Sequence, residues 1–186
     1  MTILLTLWLP IVLSAVFVFV ASCIIHMFLP WHTNDYVGVE QQDKVQELLR
    51  PFAIPPGDYM LPKCSTMAEM RTPEFKEKVA KGPVIIMTVL PGGGMAIGKN
   101  MLYWFLYLLV VAYGTAYVVG HSVQASSTCM AICKVAAMAS FMGYCLSVWQ
   151  MTIWYSRSVV TSLKTTADSL VYAAITASVF AWLVHR

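Results

Sequence analysis

The chain has 186 residues, of which 59% are hydrophobic and 11% are charged, and its formal net charge is +3. A typical soluble domain carries about 25% charged residues, so this charge content is too low for a water-soluble globule. Intrinsic disorder is excluded because it requires low hydrophobicity, and the small net charge argues against nucleic-acid binding. The composition therefore predicts an integral membrane protein whose main surroundings are the lipid bilayer.

The apolar residues fall into four blocks that contain no Asp, Glu, Lys or Arg, namely Ile3–Leu29, Met101–Gly120, Val135–Tyr155 and Ser169–Val184. A helix needs about 20 residues to cross the hydrocarbon core, and lipid offers no hydrogen-bond partners to other backbone conformations. The fourth block reaches this length by including Ala167, Asp168 and His185, and we expect Asp168, at capping-box spacing from Thr165, at the head of its helix. The sequence therefore predicts an all-α membrane protein whose transmembrane helices cover residues 1–29, 101–120, 135–155 and 167–185. The first block is too long for the apolar region of a signal peptide, and we expect it to be a permanent anchor.

A polar insert, residues 30–100, separates the first two predicted spans and carries eight of the 12 Lys and Arg residues. Helical spacing of its apolar residues predicts an amphipathic helix between Gly38 and Phe52. Thr66 and Thr72 have the spacing of helix N-caps, and the helix that follows Thr72 should end at Lys81. We therefore expect a small α+β domain that leans on the membrane surface or on neighbouring subunits.

The uncharged, β-rich run Val84–Leu90 predicts a strand within this insert. Its partner is Tyr36–Val39, Asp58–Leu61 or a strand of another subunit, since an apolar strand edge favours pairing.

The positions of the cations predict the orientation of the chain in the membrane. Cytoplasmic loops are enriched in Lys and Arg, and Lys99, Arg157 and Lys164 lie near the ends of predicted helices on the same side as the insert. We therefore expect a cytoplasmic domain at residues 30–100 and both termini in the periplasm.

The segment Gly93–Asn100 matches a phosphate-binding loop, G-x-x-x-x-G-K-[ST], at every position except the last. Asn100 replaces the hydroxyl residue that would hold Mg²⁺, and the insert leaves little room for a βαβ scaffold. A glycine hinge between domain and membrane, with Lys99 as an interfacial anchor, is the favoured interpretation.

Metal ligands are a second chemical possibility. Cys129 and Cys133 share one face of a helix and, with His121, are candidates for holding Cu(I) or Zn²⁺, although packing is the usual role of free cysteines. His26 and His32 flank the inner end of the first helix, where they are either interfacial anchors or a proton or metal site. The sequence predicts no cofactor and no catalytic constellation, and therefore no enzyme.

Small residues recur every four positions in two of the predicted helices, and this spacing lets helix backbones approach closely. These candidate packing residues are Ala139, Gly143 and Ser147 in the third helix and Ala173, Ala177 and Ala181 in the fourth. No Asp, Glu, Lys or Arg is expected at mid-depth, which argues against ion-coupled transport.

Several short segments of the chain resemble an uncharacterised family of small four-helix bacterial inner-membrane proteins. They are Pro56–Pro62, Glu74–Lys78 through Gly82-Pro83, and Trp149-Gln150 with Ile153–Tyr155. The resemblance implies a multi-pass protein of the bacterial inner membrane, and it implies no reaction or site.

Taken together, these patterns predict a non-enzymatic structural or accessory membrane protein, either a homo-oligomer or a subunit of a larger membrane complex. Its contacts would be the small-residue helix faces and the polar insert. The alternatives are a transporter or channel-like protein and a metal-handling membrane protein.

Overall fold

The computed structural model describes residues 3–92, 94–124 and 126–185. The structure is mostly helical (71%), with four helices long and apolar enough to span a membrane and a small two-stranded sheet. It divides into two compact units. The helical unit contains the chain up to Val37 and from Ile97 onward, and the insert unit is Gly38–Ala96.

Eight α-helices and two strands make up the described part of the chain. The helices are α1 (Ile3–Cys23), α2 (Gln42–Leu49), α3 (Met67–Met70), α4 (Pro73–Lys81), α5 (Ile97–Ser122), α6 (Cys129–Cys145), α7 (Val148–Tyr155) and α8 (Val159–Val184), and the strands are β1 (Gly57–Leu61) and β2 (Ile85–Val89). The four candidate membrane spans are α1 with the turn that follows it, α5, α6 together with α7, and α8.

The core of the helical unit lies between α1, α5, α6 and α8, with α6 and α8 making the most extensive contact. Phe180 and Leu108 are the largest fully buried side chains. Phe180 packs in one cluster with the small residues Ala112, Ala136 and Ala177, and Leu108 packs in a second cluster with Ala15. Small side chains at these positions allow the helix backbones to approach closely, as expected for helices that pack in a membrane.

The fourth candidate span begins at Val159, and the prediction that it starts near residue 167, with Asp168 at its head in a capping box with Thr165, is wrong. Ser158 is the N-cap, and its hydroxyl accepts a hydrogen bond from the backbone N–H of Thr161. Asp168 lies in the interior of α8 and is only 5% exposed. The helix extends this far because polar side chains of its first turns, including Ser162, are buried against neighbouring residues.

The third span also begins earlier than predicted, at Cys129. The Thr128 hydroxyl caps it by accepting a hydrogen bond from the Ala131 N–H, and Lys134 therefore lies inside α6. The helix is interrupted between Cys145 and Val148 before α7 continues to Tyr155.

In the insert unit, β1 pairs with β2 in antiparallel register from Gly57–Val89 to Leu61–Ile85. Of the alternatives left open by the sequence, the partner Asp58–Leu61 is therefore confirmed. The predicted caps are confirmed as well, since the hydroxyls of Thr66 and Thr72 each accept a backbone hydrogen bond at the start of α3 and α4. Helix α4 ends at Lys81, before Gly82, which has a positive φ of +56°.

Candidate functional site

A group of five ionisable side chains joins the end of α1 to the first half of α8. We call it the histidine–carboxylate cluster, and its members are His26, His32, Asp35, Lys164 and Asp168. It lies entirely within the helical unit. Ionisable side chains within candidate membrane spans are costly and usually functional, which makes this cluster the leading candidate site.

Two turns follow α1, and together with the residues directly after them they position His26, His32 and Asp35 in the cluster. Residues Ile24–Phe28 form a π-helical turn, closed by a hydrogen bond from the Leu29 N–H to the Ile24 carbonyl at 3.1 Å. Pro30 then starts a 3₁₀ turn, because its fixed φ suits the first position of a helix. The Asp35 N–H donates to the His32 carbonyl at 3.1 Å, which holds both side chains on one side of this turn.

His32 is the centre of the cluster. Its Nδ1 lies 2.6 Å from Asp35 Oδ2, and its Nε2 lies 2.8 Å from Asp168 Oδ2. A neutral imidazole has only one N–H donor, so the two contacts with carboxyl groups require a second proton, carried either by the imidazole or by one of the carboxyl groups.

Lys164 completes the arrangement around Asp35. Its Nζ donates to Asp35 Oδ1 at 2.9 Å and lies 5.9 Å from the ring centroid of Trp31. Partial burial alone would raise the pKa of the Asp35 carboxyl, but hydrogen bonds from His32 and Lys164 outweigh it and hold that pKa below its usual value. Asp35 is therefore a carboxylate at neutral pH, and it orients the His32 ring.

His26 approaches the same centre from the π-helical turn. The ring centroids of His26 and His32 are 4.3 Å apart, with planes tilted by 32°. The Tyr172 hydroxyl lies 3.4 Å from His26 Nε2. One ligand atom each from His26, His32 and Asp168 can be chosen so that all three lie within 4.8 Å of one another.

A groove of about 580 Å³ opens beside this centre, and Asp168 lines it. Its other walls are apolar, formed by Ile25, Leu29, Pro30, Trp31, Ala167 and Val171. The carboxylate is thus mostly buried and yet accessible from one side.

His26 and His32, which the sequence offered as a possible proton or metal site, belong to this cluster, whereas the candidates His121, Cys129 and Cys133 lie elsewhere. His121 Nδ1 donates to the Tyr117 carbonyl at 2.8 Å, Cys129 is exposed, and Cys133 packs partly buried against the core. Among the described residues, only His26, His32 and Asp168 form a three-ligand group of this size. A metal site at His121, Cys129 and Cys133 stays a prediction.

The predicted small-residue positions differ in burial. Ala173, Ala177 and Ala181 of α8 are buried, Ala139 and Gly143 of α6 are half-buried, and Ser147 is exposed between α6 and α7. At Gly143 a Cβ would lie 2.9 Å from Val111 Cγ1, so α5 and α6 are in close contact there.

The phosphate-loop-like segment lies at the start of α5. Gly93 is outside the described residues, while Gly98, Lys99 and Asn100 are in the first turn of the helix. The Lys99 Nζ lies 5.5 Å from the ring centroid of Tyr103. This contact is compatible with the anchoring role predicted for Lys99.

The insert unit has a different surface property. None of its described residues is buried, although it contains three helices and a sheet. Leu48 and Phe52, on the apolar side of the α2 region, are 72% and 73% exposed.

No family model, curated protein or solved structure matches the chain.

Proposed function

We propose that the chain is a non-enzymatic integral membrane protein of structural or accessory type. It self-assembles or docks in a larger membrane complex through its insert unit and through small-residue helix faces. The proposed location is the bacterial inner membrane, with both termini periplasmic and residues 30–100 cytoplasmic.

The observation that carries this proposal is the absence of buried residues in the described part of the insert unit. A unit of this size is near the lower limit for an independent hydrophobic core, and large exposed apolar patches usually mark interaction surfaces. Leu48, Leu49 and Phe52 follow one another at helical spacing around the end of α2, and all three are exposed. Contact with another protein would remove these side chains from water.

The formal charge of residues 30–100 favours a protein over a nucleic acid as the binding partner. Residues 30–100 carry eight Lys and Arg and eight Asp and Glu, so the segment is formally neutral. A nucleic-acid-binding surface would need an excess of cations. A neutral surface with exposed leucine and phenylalanine is typical of a protein interface.

The proposal is tested by photo-cross-linking in native membranes. A benzophenone amino acid is placed at Leu48, on the apolar face, and at Glu47 as the matched control on the same helix. We expect cross-links between chains, or to another membrane protein, from position 48 and few from position 47. Cross-links confined to lipid or to the same chain, together with a monomeric mass in mild detergent, would contradict the proposal.

A further inference from the structure

We propose that His26, His32 and Asp168 bind one divalent transition-metal ion, with Zn²⁺ as the best-matched ion, and that Asp35 positions His32 for this role. The proposal is independent of the assembly function, because every residue involved belongs to the helical unit.

The donor set fits the chemistry of such ions. Imidazole nitrogen and carboxylate oxygen are regular Zn²⁺ ligands at about 2.0–2.2 Å, and two histidines with one carboxylate leave a fourth position open. Ligand atoms around a tetrahedral zinc ion lie about 3.3 Å apart, a separation that follows from these bond lengths. The His32 Nε2 and Asp168 Oδ2 atoms are 2.8 Å apart in a direct hydrogen bond, so they would separate by about 0.5 Å to admit the ion, and the whole set lies within 4.8 Å. Small side-chain rotations, of which the exposed His26 is the freest, would close the set around an ion.

A second layer of contacts distinguishes this group from a chance cluster. Metal-binding histidines usually donate their other ring N–H to a carboxylate, which fixes the tautomer and the ring orientation. His32 has this arrangement, because its Nδ1 lies 2.6 Å from Asp35 Oδ2. Lys164 in turn holds Asp35 Oδ1 at 2.9 Å. The His32 Nε2 is thereby directed at Asp168.

The proton balance of binding is simple. Without metal, one proton lies in the 2.8 Å contact between His32 Nε2 and Asp168 Oδ2, and a second lies between His32 Nδ1 and Asp35. When the ion binds, the proton between Nε2 and Asp168 leaves to solvent, and the metal takes its place. The proton between Nδ1 and Asp35 stays. Only the bond to the displaced proton is broken, and no redox change is involved.

The location of the site indicates what the ion would do. Asp168 is nine residues after the first residue of α8, which places it roughly 14 Å along the helix. His26 and His32 belong to the segment that follows α1. A bound ion would therefore fix the exit from α1 against α8, and it would stabilise the folded state in proportion to its affinity.

The experiment uses the full chain in detergent, freed of metal with a chelator. It is titrated with ZnCl₂ by calorimetry and with CoCl₂ by visible absorption, since Co²⁺ in a tetrahedral site gives an intense spectrum. We expect one ion per chain and an increase in Tm with Zn²⁺. His26→Gln, which leaves the contact between His32 and Asp168 in place, should weaken binding at least tenfold. Asp35→Asn should weaken binding about 10–100-fold, the range typical of such supporting contacts.

His121→Gln is the matched control and should bind as the unchanged chain does. Far-UV circular dichroism establishes that each variant is folded before its affinity is compared. Absence of stoichiometric binding in the folded, unchanged chain would overturn the proposal, and the cluster would then be an ion-pair network only. Binding that is lost in His121→Gln or Cys129→Ser but kept in His26→Gln would equally overturn it.

Discussion

Gly143 offers a direct test of how closely α5 and α6 pack. A Cβ at this position would lie 2.9 Å from Val111 Cγ1 and 3.3 Å from Val111 Cγ2. Val111 is 8% exposed and β-branched, so its side chain has few alternative rotamers within a helix. Gly143→Ala should therefore push the two helices apart or force Val111 out of its preferred geometry.

The magnitude follows from two opposing effects. Overpacking a well-filled contact costs about 1–3 kcal/mol, whereas Gly to Ala in a helix interior gains about 1 kcal/mol. Gly114→Ala in α5 supplies the matched control, because no atom lies within 4 Å of its added Cβ. Both substitutions share the gain in helix propensity. We expect Gly143→Ala to have a free energy of unfolding about 1–3 kcal/mol below that of Gly114→Ala.

The assay is SDS-induced unfolding in mixed micelles, followed by tryptophan fluorescence, for both variants and for Gly143→Ala with Val111→Ala. The second substitution removes the methyl groups that the new Cβ would meet, so the two changes should couple favourably. If Gly143→Ala were as stable as Gly114→Ala, or if the double variant showed no coupling, the close contact between α5 and α6 would be refuted.

Three further predictions concern single contacts. Thr72→Ala should lower the stability of the insert unit by about 1 kcal/mol in thermal unfolding, because it removes the cap of α4. Thr72→Ser keeps a capping hydroxyl and should therefore retain this stability. Leu108→Ala should lower the free energy of unfolding by about 2 kcal/mol, because the Leu108 side chain is fully buried. Leu106→Ala, on the exposed side of α5, should leave that free energy nearly unchanged in SDS unfolding. Equal losses of stability in the two variants would contradict the packing of α5. Trp104→Phe should lower the free energy of unfolding by about 1 kcal/mol through loss of the 2.9 Å hydrogen bond from the indole to Ser22. The double variant with Ser22→Ala should lose less than the sum of the two single variants, because both remove this bond, although Ser22→Ala also removes the bond from the hydroxyl to the Phe19 carbonyl.

The four long helices and most of the insert were predictable because they depend on local patterns. Uncharged stretches of about 20 residues indicate spans, and Thr72-Pro73-Glu74 carries its own start signal. The strand at Val84–Leu90 was predictable as an element because its own residues favour a strand. Its partner was not, because the sequence pattern of one strand does not identify which distant segment pairs with it.

The limits of prediction appear most clearly at Asp168. A charged residue next to an apolar block is usually outside the membrane span, and for this reason the sequence placed it at a helix end. The structure places it inside α8 because His32, 136 positions away along the chain, supplies its partner. His26 and His32 were recognised as a possible site from their position after the first span. Asp35 and Lys164, which complete the cluster, carried no signal beyond their charge.

The π-helical turn at Ile24–Phe28 has a consequence for how this protein can vary. A π turn contains one residue more than an α turn, and each residue of an α-helix rotates the chain by about 100°. Loss of one residue from this turn would convert it to a regular α turn, which completes about the same rotation with one residue fewer, so the chain beyond it would keep its direction toward Asp168. Replacement of Ile24 or Met27, which are exposed and apolar, would leave the path of the chain unchanged. Loss of one residue from the regular part of α1 would instead rotate the two flanking parts of the chain by about 100° relative to each other. Chain length should therefore be more restricted ahead of the π turn than within it.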